Sequence, residues 1–150
     1  MNLEPNGLWE IFDGCNTFEK FCEKMTPHYS NENIPKPIQR KLDVIKKLIT
    51  YSYYEYEFLD VALLQIFHTL ELALSLKYKT QPAYNKDLKN LTLYLDWALR
   101  KNYISKSERQ NIVDFRNTLF HPKEDSLFGL IGINLIKENI KIIDKLFIVN

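Results

Sequence analysis

Glycine is scarce in this sequence, with four in 150 residues. A β-sandwich or barrel draws on glycine for its many turns, and a doubly wound fold usually carries a glycine-rich phosphate loop, so neither is expected. Cysteine is scarcer still. Cys15 and Cys22 stand seven residues apart, with no CxxC and no histidine cluster beside them. They read as two reduced thiols of a cytoplasmic protein rather than a disulfide frame, a redox pair or a metal site. An excess of one charge is also missing: 20 basic and 19 acidic side chains leave a net charge of +1. Contact with nucleic acid would therefore have to come from a local patch. No long apolar run is uninterrupted. The most apolar stretch, Phe58 to Leu76, is broken by Asp60, His68 and Glu71, as in a buried helix of a bundle, so no membrane association is expected. No charged-then-apolar leader opens the sequence, and no secretory signal is expected.

What is present is ordinary globular material, 45% hydrophobic and 26% charged, long enough to bury a core without staples. Residues 1–36 stand apart as an N-terminal extension. Within it, Phe18, Phe21, Cys22 and Met25 have helical spacing, which predicts a short lid helix packed on the main body. Tyr29 to Pro37 is a polar connection. Residues 37–150 carry strong helical periodicity. Ile38, Leu42, Ile45, Leu48 and Ile49 mark one helix. Glu55 to Tyr78 is apolar almost all round, as befits a central helix. Leu88, Leu91, Leu95, Ala98 and Leu99 mark a third helix. Asn102 to Ser105 makes a turn, and Ser105-Lys106-Ser107-Glu108 has capping-box spacing. A fourth helix runs to His121, where Pro122 stops it. Lys123 to Ser126 is a polar loop, and Leu130 to Phe147 forms the last helix. The expected fold is all-α, an up-and-down bundle of four or five helices with the short helical extension.

The fourth helix carries the most informative residues. Ile112, Val113, Phe115, Leu119 and Phe120 share one apolar arc, and Arg116 falls near its middle. A guanidinium buried there needs a carboxylate, a subunit interface or a bound anion. His121 lies at the helix end, where the dipole favours the protonated imidazole. A fixed cation beside a group that titrates near neutrality suits phosphate chemistry. The same two residues also fit a structural ion pair and a C-terminal helix cap. On the second helix Glu57, Asp60, His68, Glu71 and Ser75 fall on one stripe. That stripe either supplies the carboxylate for Arg116, with Glu71 the better candidate, or is simply solvated. The basic residues Arg40, Lys41, Lys46 and Lys47 fit a solvated face better than an RNA guide. Tyr51, Tyr53, Tyr54 and Tyr56 fit core and interface better than base stacking.

The run from Tyr94 to Pro122 resembles the HEPN superfamily. Its members carry a helix, a short turn, and a helix ending in Arg-polar-x-x-x-His, here Arg116-Asn117-Thr118-Leu119-Phe120-His121. Phe58 to Tyr78, with Phe67-His68-Thr69-Leu70-Glu71 at its centre, looks like the long second helix of such domains. The resemblance covers roughly Pro37 to Phe147. It implies a bundle that dimerises by facing its motif helices, and a metal-independent endoribonuclease with no cofactor. Such proteins act in toxin–antitoxin, abortive-infection and other defence systems, often beside an antitoxin or other defence partner. Carried onto this chain, the paired His121 side chains act as general base and acid, while Arg116 holds the phosphate and Asn117 positions it or the histidine. His68, Glu71 and Lys123 are candidate binding residues. Some family members have a modifiable tyrosine two residues after the histidine, where this chain has Lys123. The alternative that the resemblance leaves open is a non-catalytic module binding a nucleotide or a protein partner.

Overall fold

The computed structural model describes residues 4–12, 14–82, 84–87, 89–120 and 129–148. Among the described residues the chain is all-α. A 3-10 turn at Gly7–Trp9 precedes α1 (Phe18–Met25), α2 (Lys36–Tyr51), α3 (Glu57–Lys79), α4 (Leu91–Arg100), α5 (Lys106–Phe120) and α6 (Gly129–Leu146), and there is no strand.

Local chemistry explains most boundaries. The Thr17 side chain accepts the Lys20 N–H to open α1, and Asn90 accepts that of Leu93 to open α4. Pro37 sits in the first turn of α2, where its missing N–H costs nothing. α4 ends on Asn102, whose φ of 58° lets the Tyr103 N–H reach the Ala98 carbonyl and the Asn102 N–H reach that of Leu99. This is a Schellman closure with asparagine in the usual glycine place.

The longest helix, α3, spans 23 residues, or about 34 Å. It lies between α2 and α6. Leu59, Leu63, Ile66, Leu70 and Leu74 along it are fully buried, and α2 contributes Ile38, Leu42, Ile45 and Ile49 to the same core. A short link makes α2 antiparallel to α3. α6 runs parallel to α3: the Gly129 N–H donates to the Tyr56 hydroxyl at one end, while Lys77 and Phe147 meet at the other, 5.8 Å apart. α5 is antiparallel to α6, because Glu108 at its start pairs with Lys145 near the end of α6. The long helices α2, α3, α5 and α6 thus alternate in direction, as an up-and-down bundle requires. The short α4 is inserted between α3 and α5, with Trp97 and Tyr94 packed on Tyr78 at ring distances of 5.2 and 6.0 Å.

The N-terminal extension is more than a cover. Trp9, Cys15, Phe21 and Met25 are buried, and the Trp9 indole N–H donates to the Ser52 carbonyl. The Asn6 N–H donates to the Tyr53 carbonyl at 2.7 Å. Trp9 packs edge-on against Phe21 and tilted against Tyr56, with ring centres 4.8 and 5.3 Å away. Full burial of a large apolar side chain is worth roughly 1.5–3 kcal/mol, so these residues complete the core at the start of α3. Cys15 and Cys22 form no disulfide. Among the described residues α3 alone is long and apolar enough to cross a bilayer, and half of its apolar stretch is buried within the bundle.

Candidate functional site

The first turn of α5 is fixed on three sides. The capping box forms as its spacing predicts: the Ser105 N–H donates to Glu108 Oε2 at 2.7 Å, and the Glu108 N–H donates to Ser105 Oγ at 3.1 Å. Glu108 also binds Lys145 of α6 at 2.9 Å. Arg109 Nε donates to Asp96 of α4 at 2.6 Å, with both side chains part-covered. Backbone and side-chain donors together hold Glu108 below the usual carboxylate range although burial pulls the other way.

Past that anchored turn the cover thins. Ile112 is buried, with 1% of its surface exposed. Val113, Phe115 and Leu119 are only half-buried. Arg116 lies among them and is itself half-buried, so it sits in the apolar arc without being sealed into it. Asn117 is exposed beside it, as are Asp114 and Thr118. Thr118 hydrogen-bonds the Asp114 carbonyl at 2.9 Å, and Gln110 donates to the Asp114 carboxylate at 2.8 Å, so this outer face is occupied with its own helix. α5 extends to Phe120. His121 and Lys123 lie outside the described residues.

On α3 the polar stripe divides. Glu57 and His68 are exposed; Asp60, Glu71 and Ser75 are half-buried. Ser75 is engaged by the Tyr94 hydroxyl at 3.3 Å. Glu71, the expected carboxylate for Arg116, is placed to be part-covered, but the two ion pairs that fix α5, Arg109–Asp96 and Lys145–Glu108, use neither residue. Asp60, which spacing marks only as a member of the stripe, is the one with an unpartnered buried oxygen among the described residues. Burial and the neighbouring Glu57 raise its pKa. The basic residues of α2 face solvent, apart from the part-covered Lys41. Tyr53 and Tyr56 are core residues, Tyr54 is half-buried, and Tyr51 is exposed against Phe58 with ring centres 6.3 Å apart.

A second feature escaped the sequence reading. Asn139 of α6 is buried, with 1% of its surface exposed, in a face otherwise built from Ile133, Ile136, Ile140 and Ile143. Its Nδ2 donates to the Leu135 carbonyl at 2.8 Å, and its Oδ1 has no partner among the described residues. It lines a cavity of about 360 Å³ between the first half of α5 and the second half of α6. The signal was available: an uncharged polar residue interrupts an apolar arc, just as Arg116 interrupts that of α5. Among the described residues no three His, Cys, Asp or Glu side chains gather as a metal site. Comparison of the chain with protein-family models, with curated proteins and with solved structures gives no match.

Proposed function

We propose that this protein is a HEPN-type endoribonuclease that cleaves RNA without a metal, as a homodimer. It would act in the cytoplasm within a bacterial defence or toxin–antitoxin system, opposed by a cognate antitoxin or joined to a defence partner. Arg116 carries the proposal. It is a guanidinium in the middle of an apolar arc, half-covered and one turn before the end of α5, among side chains that its own chain leaves part-open. A second copy facing the first through α5 would cover Val113, Phe115 and Leu119 and bring two Arg116–His121 motifs to one cleft.

The chemistry then needs only protein groups. The ribose 2′-oxygen attacks the adjacent phosphorus while its proton passes to one His121 imidazole. The bond from phosphorus to the 5′-oxygen breaks, and the second copy's His121 protonates that oxygen. The products are a 2′,3′-cyclic phosphate and a 5′-hydroxyl. Arg116 neutralises the charge that grows on the phosphorane through a forked contact. Asn117, exposed on the next position, holds a phosphate oxygen or the imidazole.

The test is mixed RNA incubated with purified protein in EDTA, with the ends of the products identified. The parent should cleave to cyclic phosphate ends. His121→Ala should lose about 10²–10⁴-fold in rate and Arg116→Ala about 10²–10³-fold. Unchanged cleavage in both variants would refute the mechanism. RNA bound without cleavage would assign the chain to the non-catalytic binding modules instead.

A further inference from the structure

α2 gathers charge that the rest of the chain does not. Five of the 20 basic side chains stand on it, Lys36, Arg40, Lys41, Lys46 and Lys47, against a single carboxylate, Asp43. The other 15 basic side chains are set against 18 acidic ones, so the chain outside α2 is net acidic. All five except the part-covered Lys41 are exposed. None forms an ion pair among the described residues, where the pairs are Arg109–Asp96 and Lys145–Glu108. Asp43 is engaged from the side, accepting the Tyr29 hydroxyl at 2.6 Å. Helix stability does not account for this placement. Lys36 stands in the first turn, where the dipole favours an anion, and that turn holds no acid. Lys36 and Arg40 are also like charges one turn apart, which weakens a helix slightly.

An open aromatic ring ends the same stripe. At helical spacing Lys36, Arg40, Lys47 and Tyr51 fall within about 60° of one another, opposite the buried Ile38, Leu42, Ile45 and Ile49. Tyr51 is 54% exposed, and Phe58 braces its ring with 6.3 Å between centres. With Asp43, Lys46, Lys47 and Thr50 it lines a surface groove of about 330 Å³. Cations in a row and a braced, exposed ring offer a nucleic-acid strand charge for its backbone and a platform for a base. We propose that the outer face of α2 is a track for single-stranded RNA, with Lys36, Arg40 and Lys47 against phosphates and a base stacked on Tyr51. The choice of RNA rests on the ribonuclease proposal. Direction supports it. α2 and α5 both run toward the end of the bundle at which α3 and α6 begin, so Tyr51 and Arg116 lie toward the same end. The track leads a strand along α2 toward the motif.

The test measures binding apart from cleavage, with the full chain and a 2′-O-methyl RNA strand of about 12 nucleotides, whose blocked 2′-oxygen cannot attack. Fluorescence anisotropy should show binding that weakens as salt is raised. Joint replacement Lys36→Gln, Arg40→Gln and Lys47→Gln should cost at least tenfold in affinity and reduce the salt slope by about 2, the share of three phosphate contacts. Tyr51→Ala should cost about tenfold, and Tyr51→Phe, which keeps the ring, should bind like the parent. As a control, Lys86→Gln, Lys89→Gln and Lys101→Gln remove the same charge from other exposed positions and should leave binding unchanged. All these sites are on the surface, so helical circular dichroism should match the parent's throughout. No binding of the strand, equal weakening by the two triple variants, or full affinity in Tyr51→Ala would each overturn the proposal. Equally tight binding of a duplex of the same sequence would overturn the choice of a single strand. Failure of the nuclease reading looks different: the strand still binds through α2, and no RNA is cut by any variant.

Discussion

A carboxylate oxygen buried without a donor stays charged only at a cost, and among the described residues Asp60 holds that position on α3. Burial first, and Glu57 second, push its pKa above the ordinary value of 3.8. The folded protein therefore holds this proton more tightly than the unfolded chain does. Asp60 favours folding most below the unfolded value, and that contribution is lost as pH rises through the raised folded one. Asp60→Asn removes the charge, and its melting temperature should exceed the parent's at pH 7 by at most roughly 2 °C, because water screens a side chain that is only part-covered. The gap should close as the pH is lowered toward 4. An equal gap at both pH values would show that Asp60 is not the group responsible. Arg116 was legible in the sequence because a full charge interrupts an arc of strictly helical spacing. Asn139 interrupts its arc equally, but a carboxamide is common on both sides of a helix and attracts no notice until its burial is known. The isolation of Asp60 was not legible at all. It depends on what the neighbouring helices place opposite α3, and spacing along one chain does not encode that.

α5 is a helix held hard at its start and loosely along its second half. The capping box satisfies one orphan N–H at each of Ser105 and Glu108, and Glu108 doubles as the tie to α6. Ser105→Ala removes the hydroxyl acceptor and should lower the unfolding free energy by about 1 kcal/mol. Urea denaturation should show this as a shifted midpoint with an unchanged slope. No shift would mean that the first turn of α5 is held by the ion pairs with Asp96 and Lys145 alone. The box was readable from Ser-x-x-Glu because its chemistry is local. The turn after α4 was readable as a turn, but not as a left-handed closure on Asn102, since asparagine serves many kinds of turn. α3 was expected from Glu55 and begins at Glu57, and no side chain caps it. The turn at Gly7–Trp9 is too short to show a period. The directions of the helices were open as well: periodicity tells which face of a helix is buried, and nothing about what covers it.

At the scale of the molecule, two of the apolar surfaces among the described residues compete for a partner. One is the second half of α5, with Val113, Phe115 and Leu119 half-covered. The other is the outer face of α2 and α3, where Val44, Tyr51, Phe58, Val61 and Leu64 are exposed. A stable dimer needs about 1,000 Å² or more of well-fitted surface. The ribonuclease proposal requires the first surface, because only that one brings two Arg116 side chains together. Leu119→Glu should then sediment as a monomer with unchanged helical circular dichroism and no cleavage, while Val61→Glu should remain an active dimer. The reverse pattern would place the contact on α2 and α3 and leave the two motifs apart.

The packing of the aromatic residues has a practical consequence for following these changes. The chain has two tryptophans, and they sit at opposite ends of its central helix. Trp9 rests on Tyr56 at the start of α3, with ring centres 5.3 Å apart, and Trp97 rests on Tyr78 near its end, at 5.2 Å. Positions 56 and 78 are separated by about 33 Å of helix. Fluorescence from a chain with one indole replaced by phenylalanine therefore comes from one end alone. Trp9 reports the seam between the N-terminal segment and the start of α3, and Trp97 reports the seat of α4. The molecule carries a thermometer at each pole, and comparing the two tells which end gives way first.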